Sequence, residues 1–208
     1  RTPDGKWTNW STSRGMIANA PANSKNTMTI SMSPWAHGGM IHGMWKKEGK
    51  DCPIAIAFGA QPAVNINIGT RQDDYVDEYD ASSKLLDEPI ELVKCETNDL
   101  LVPADAEIIL EGFVDPEDMR EEGPFGEYTG YYSGAKGEEW PKQVLHVQRI
   151  LRRKKPIFWG TTVGKPITDT HMIQSVNRSA IVWLCCSRSC FSMKLIRRSA
   201  TLGPLRMK

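Results

Sequence analysis

The sequence predicts a β-rich α+β fold, a sandwich or barrel of short strands with helices at its periphery. Strand-length runs rich in apolar and β-branched residues recur at 28–33, 54–59, 63–68, 90–96, 106–114, 143–151 and 157–161. Two of them, AVNINI and QVLHVQRI, alternate polar and apolar residues with the period of a half-buried strand. Pro, Gly, Asp and Asn punctuate the gaps between runs.

Three helices fit between and after these strands. Residues 37–48 place Met40, Ile41, Met44 and Trp45 on one face. Residues 73–86 gather Tyr75, Val76, Tyr79, Leu85 and Leu86, after an Asp-rich start that suits a helix dipole. Residues 170–184 carry Ile173, Val176, Ala180 and Leu184 at helical spacing.

Composition bounds the class. The chain has 208 residues, 40% hydrophobic and 25% charged, enough for a buried core in one large domain. No run approaches the ~20 apolar residues of a membrane-spanning helix. The start, RTPDGKW, has no apolar leader and reads like a chain cut in mid-domain. Residues 170–208 carry seven Lys or Arg and no carboxylate, whereas residues 1–169 carry 19 basic against 25 acidic groups. A basic tail can meet nucleic acid or an anionic membrane, but the body shows no nucleic-acid-binding motif. Cys52 and Cys95 read as buried thiols in a reduced, cytoplasmic protein. Cys185, Cys186 and Cys190 match no zinc spacing.

One stretch fits neither helix nor strand. EEGPFGEYTGYY, residues 121–132, packs three carboxylates, three glycines, a proline, a phenylalanine and three tyrosines into twelve positions. By composition alone it is a solvated acidic turn. Together with ELVKCETNDLLVPADAEIILEG before it, with NWSTSR at 9–14, and with the stretch from HGGMIHGMWKKEGKDCPIAIAFG to PAVNINIG, it resembles the UbiD family of reversible decarboxylases. The matching order runs from Asn9 to about Thr170.

The resemblance implies a split β-barrel of the flavin reductase-like kind over residues 1–169. Residues 170–208 would begin a helical linker and run into an aberrant basic, Cys-rich tail. It implies prenylated FMN as cofactor, with Mn²⁺ or another divalent metal, and K⁺, beside the flavin phosphate. The expected substrate is an aromatic or α,β-unsaturated carboxylic acid. A flavin prenyltransferase would supply the cofactor, and full-length relatives form homo-oligomers. Asn9, His37 and Glu78 match the metal ligands. Arg14 matches the arginine that meets the substrate carboxylate, and Glu122 and Glu127 the two catalytic glutamates. The backbone of Ser11, Thr12, Ser13 and Arg14, and of residues 67–70, lies where the family holds the flavin. Ala36 stands where the family often has Gln or His against the flavin, and the loop between Arg14 and His37 is a few residues longer.

The chemistry follows from the residue types. A carboxylate that protonates a carbanion-like carbon at neutral pH needs a raised pKa, and burial among Phe125 and Tyr128 would raise that of Glu127. Arg14 would grip a carboxylate with two parallel hydrogen bonds, with Glu122 orienting it. An amide, an imidazole and a carboxylate suit Mn²⁺ or Mg²⁺ at a phosphate. His42, His146 and His171 read as structural. Two rivals remain open: a two-carboxylate glycosidase on Glu122 and Glu127, and a truncated, catalytically inactive flavin-binding relative. The tail favours the second, because residues 185–208 lose patterning and resemblance together, as a frameshift or retained intron would cause, and are expected to be poorly ordered.

Overall fold

The computed structural model describes residues 1–17, 25–69, 72–126, 130–133, 141–158 and 160. The helix expected at 170–184, His171, the three tail cysteines, the tail itself and Glu127 lie outside the described residues. In chain order the elements are β1 (Gly15–Met16), β2 (Thr27–Ile30), α1 (His37–Lys47), β3 (Cys52–Phe58), α2 (Pro62–Ile68) and α3 (Glu78–Leu86). They continue with β4 (Leu92–Lys94), β5 (Leu101–Pro103), β6 (Ile108–Arg120), β7 (Phe125–Gly126), β8 (Tyr132–Ser133) and β9 (Lys142–Arg152). The result is a mixed α/β fold on one antiparallel sheet of order β1-β2-β9-β6-β3. Among the described residues its outer strands do not pair with each other, and β4–β5 and β7–β8 form separate hairpins.

Both faces of the sheet are covered. CPIAIAF in β3 alternates large and small residues. Ile54 and Ile56 pack on the cluster of Trp7, Met28, Ile30, Met32, Ile41, Cys52, Leu110, Val114 and Leu145. Ala55 and Ala57 face the cluster of Cys95, Leu100, Val102, Ala106 and Ile109, where small side chains let the β4–β5 hairpin approach. Pro53 sits in an outer strand, where a missing ladder donor costs little. Gly112 is obligatory, since a Cβ there would stand 2.0 Å from the His146 carbonyl oxygen. Cys52 and Cys95 are both buried free thiols, as expected.

Four expectations need correction. AVNINI is helix, not strand. Pro62 opens α2 with its φ already set for a helix, and Val64 and Ile68 lie four residues apart. Val64 is buried while Ile66 is exposed, so the alternating apolar residues served a short helical face. The helix expected at 73–86 begins only at Glu78, because Asp77 caps it by accepting from the Tyr79 N–H at 2.8 Å. Tyr75, with φ of 66°, cannot be part of it. Ile157 and Phe158 are exposed and form no strand. The turn at 121–132 holds two short strands, β7 and β8, which its glycines had argued against. Among the described residues no helix is long and apolar enough to cross a membrane.

Candidate cofactor and active site

The segment Asn9–Arg14 runs from the start of α3 to β1. At one end the two sequence neighbours Asn9 and Trp10 clasp Glu78 and Tyr79. Asn9 Nδ2 donates to Glu78 Oε1 at 2.6 Å, the Trp10 N–H donates to Glu78 Oε2 at 2.9 Å, and the Trp10 and Tyr79 rings lie 4.4 Å apart. Asn67 locks α2 onto this point by donating to the Glu78 carbonyl and to Ser82 Oγ. Glu78 is 3% exposed, and burial raises its pKa against the opposing hydrogen bonds from Trp10 and Asn9.

The N-terminus of α1 comes to the same place. Gly38 leaves open a space in which a Cβ would lie 3.7 Å from Asn9 Oδ1 and 4.0 Å from Ser11 Oγ. Gly39 cannot be replaced, as a Cβ would stand 2.0 Å from the Ser33 carbonyl oxygen. No side chain caps this helix, so its first N–H groups have no side-chain acceptor. His37 is buried, edge-on to Trp7, and its Nε2 lies 2.9 Å from Asp74 Oδ1. The structure therefore joins Asn9 to Glu78 and pairs His37 with Asp74. Among the described residues no three His, Cys, Asp or Glu side chains cluster as a metal site.

At the other end of the segment, Arg14 Nη2 meets Glu122 Oε1 at 2.5 Å. Thr29 Oγ1 donates to Glu122 Oε2 at 2.9 Å, and the Phe125 ring centroid lies 4.2 Å from Arg14 Cζ. Glu122 is 6% exposed, so this part of the turn is not the solvated loop its composition suggests. The backbone is pinned by Ser31 N–H donating to the Arg14 carbonyl and by Ser13 Oγ donating to the Ser31 carbonyl.

Between these two ends lies a cavity of about 560 Å³. Asn9, Ser11, Thr12, Ser13, Ala36 and Gly38 form a polar wall, and β2, β3, α1 and α2 supply the apolar remainder. Arg14, His37, Glu78 and Glu122 are not among the lining residues. Strand alternation accounts for Arg14, since its neighbours Ser13 and Gly15 do line the cavity. His42 is buried, and its pKa is lowered by that burial and by Lys46, which keeps it a neutral structural residue.

Thr29, Asp74 and Asn67 hold the site residues, and sequence reasoning did not assign their side chains a role. Thr29 alone left a signal: TMTI places threonines at alternate positions, which marks a second face that is not purely apolar.

Residues 1–166 match the family model described as UbiD, the 3-octaprenyl-4-hydroxybenzoate carboxy-lyase Rift-related domain. The chain belongs to the UbiD family. A curated UbiD relative, the pyrrole-2-carboxylic acid decarboxylase of Pseudomonas aeruginosa, is 37% identical over 180 residues, covering 86% of this chain and 35% of its own. An evolved dimeric form of the UbiD-class enzyme HmfF from Pelotomaculum thermopropionicum, solved with prFMN, superposes with a TM-score of 0.75 at 33% identity. That match covers 88% of this chain and 40% of the other. The closed form of vanillic acid decarboxylase from Sedimentibacter hydroxybenzoicus gives 0.72 at 30% identity, covering 81% and 34%. The Pseudomonas and Sedimentibacter relatives are named as decarboxylases, and the chain spans little more than a third of the length of these relatives.

Proposed function

We propose that this chain is the flavin-binding unit, residues 1–169, of a UbiD-type carboxy-lyase that decarboxylates an aromatic, heteroaromatic or α,β-unsaturated acid. The observation that carries the reading is the pair of half-buried Arg14 and buried Glu122, braced by Thr29 and Phe125, one residue from the cavity wall. An arginine so held presents a preset two-pronged donor to an incoming carboxylate. The open sheet, with a cavity bounded by β1 and β2 on one side and β3 on the other, fits a split β-barrel.

Prenylated FMN, when bound, supplies the electron sink for loss of CO2. The chain's own contribution is position and polarity. Ser11, Thr12 and Ser13 line the cavity with the uncapped N-terminus of α1, and the Ser11 and Thr12 hydroxyls together with backbone N–H groups are the donors on offer to a phosphate. Asn9 and Glu78 fit a hard divalent ion. Asn9 Nδ2 already donates to the Glu78 carboxylate, a flip of the amide would turn its Oδ1 to the same point, and the buried carboxyl, with its pKa raised by burial, gains most from a cation. His37 would join them on leaving Asp74, with Mn²⁺ the expected metal and K⁺ beside it. The apolar walls exclude water from the reacting centre. Glu127 would then deliver the proton that replaces CO2. A flavin prenyltransferase would supply the cofactor, and the full-length protein would homo-oligomerise.

Co-expression with a flavin prenyltransferase, followed by native mass spectrometry, tests this reading. Prenylated FMN and one divalent ion should remain bound, and Glu78→Gln should lose the metal and weaken flavin retention at least about tenfold, since outer-sphere changes alone cost 10–100-fold in metal affinity. Absence of flavin from the wild-type protein would overturn the reading.

A further inference from the structure

After a first register shift between Glu111 and Gly112, β6 and β9 pair in one register from Gly112↔Val147 to Val114↔Leu145 and resume at Met119↔Gln143. Five steps along β6 are thus matched by two along β9, so β6 carries three extra residues at this point. An odd number of extra residues exchanges the faces of a strand, because side chains alternate with period 2. Val114 lies in the apolar cluster with Met28 and Leu145. In an unbroken strand, Glu122, eight residues on, would point the same way, into that cluster. With the bulge it emerges on the opposite face, beside Thr29, whose strand neighbours Met28 and Ile30 are in the cluster.

A wide bulge needs something to hold it, since it leaves ladder groups unpaired. Pro116 sits inside it and has no donor to lose. The Asp115 carboxylate accepts from the Glu117 N–H at 2.9 Å. Asp118 then ties the bulge down from two directions. Arg120 grips it with Nε at 2.9 Å and Nη2 at 2.7 Å, and His146 Nε2 on β9 reaches it at 2.9 Å. His146 is held in turn by stacking on Phe113 at 5.2 Å with the ring planes 12° apart. Burial works to raise the Asp118 pKa, but the hydrogen bonds and charge of Arg120 and His146 outweigh it and leave it lowered.

We propose that Asp118, Arg120 and His146 form a positioning clamp that fixes the odd-residue bulge of β6 and so delivers Glu122 to Arg14. The functional consequence rests on the reading of Arg14 as the carboxylate-gripping group; the structural one does not. None of the three clamp residues is assigned a contact with substrate. Their effect passes through the face on which Glu122 emerges.

The test uses the 208-residue chain labelled with ¹⁵N-arginine, and a full-length protein carrying it for kinetics. In the wild type, Arg14 should show guanidinium N–H resonances slowed and shifted by its pairing with Glu122, assigned by their loss in Arg14→Lys. Asp118→Ala should return those resonances to solvent-averaged values, and Glu117→Ala, at an exposed bulge residue, should leave them unchanged. His146→Phe keeps the stack on Phe113 while removing the bond to Asp118, and it should act in the same direction, which covers the case in which Asp118→Ala does not fold. In the full-length enzyme Asp118→Ala should lower kcat/KM by about 10²-fold, mainly through KM, as a small misplacement of a binding group does. Unchanged Arg14 resonances in both Asp118→Ala and His146→Phe would overturn the clamp. If those resonances collapse but KM does not move, the clamp stands and the carboxylate-gripping role of Arg14 falls.

Discussion

Glu127→Gln, made in a full-length protein carrying this domain, is expected to lower decarboxylation by about 10²–10⁴ while prenylated flavin stays bound. The substitution keeps side-chain size and hydrogen bonding and removes only the ionisable proton. Glu127 lies outside the described residues, but both of its approaches are placed. β7 ends at Gly126 and pairs with β8, Phe125 opposite Ser133 and Gly126 opposite Tyr132. Phe125, two residues before Glu127, is the ring stacked on Arg14. β7 therefore springs from the same point that holds the Arg14–Glu122 pair. A carboxyl able to protonate carbon near neutral pH must have a raised pKa. Arg14→Lys is the companion variant. An ammonium can neither repeat the parallel donors nor spread over the Phe125 face, so substrate affinity should fall while the flavin complex survives. Full turnover in Glu127→Gln, measured as CO2 release, would remove Glu127 from the role of proton donor.

How much of this was legible in the sequence depended on whether the signal was local. β6 and β9 were read from β-branched alternation, and each runs longer than its apolar run because hydrogen bonding continues past the apolar residues. α2 was misread because six residues are too few to separate a period of 2 from an i, i+4 pair once proline has set the first turn. Asn9 and Glu78 lie 69 positions apart and form one hydrogen bond, and no spacing rule reaches that far. Family resemblance named both residues; Asn67, Ser82 and Thr29, which hold them or their neighbours in place, are ordinary polar residues in ordinary elements and left little trace. The bulge of β6 was hidden for a different reason. DPED, directly after the 106–114 run, has the residues that punctuate the other gaps, and only the register across β9 shows that the strand continues with its faces exchanged.

The KCETNDL stretch, useful for recognition but assigned no chemistry, is where the largest loss of stability is expected. Glu111 is fully buried in the middle of the sheet, between β3 and β9. Its carboxylate accepts from the Glu96 N–H at 3.1 Å, the Thr97 N–H at 2.8 Å and Thr97 Oγ1 at 2.8 Å. It thereby satisfies the tip of the β4–β5 hairpin and holds Leu100 and Val102 over Ile109. Burial alone would raise the Glu111 pKa, but these donors outweigh it and hold the group below the usual carboxylate range. The same burial, with the Glu111 charge beside it, pushes the Cys95 thiol up to about 12 and keeps it inert. Glu111→Ala would strand three donors under the hairpin and open a cavity in the sheet, at a cost of about 3 kcal/mol. For a domain of this size that is roughly 6–12 °C in melting temperature. A depressed folded pKa also fixes the sign of the pH dependence. The charge-linked part of the wild-type advantage is complete above the unfolded value of ~4.3 and fades as pH falls through the lower folded value, so the gap between the two proteins should narrow in strong acid to the cavity cost. Trp10, which meets Glu78 and Tyr79, packs on this same hairpin cluster, so, if the proposed cofactor site is right, flavin affinity should weaken along with stability. Thermal melts of Glu111→Ala that match wild type at neutral pH would show that the hairpin is held by its apolar contacts alone.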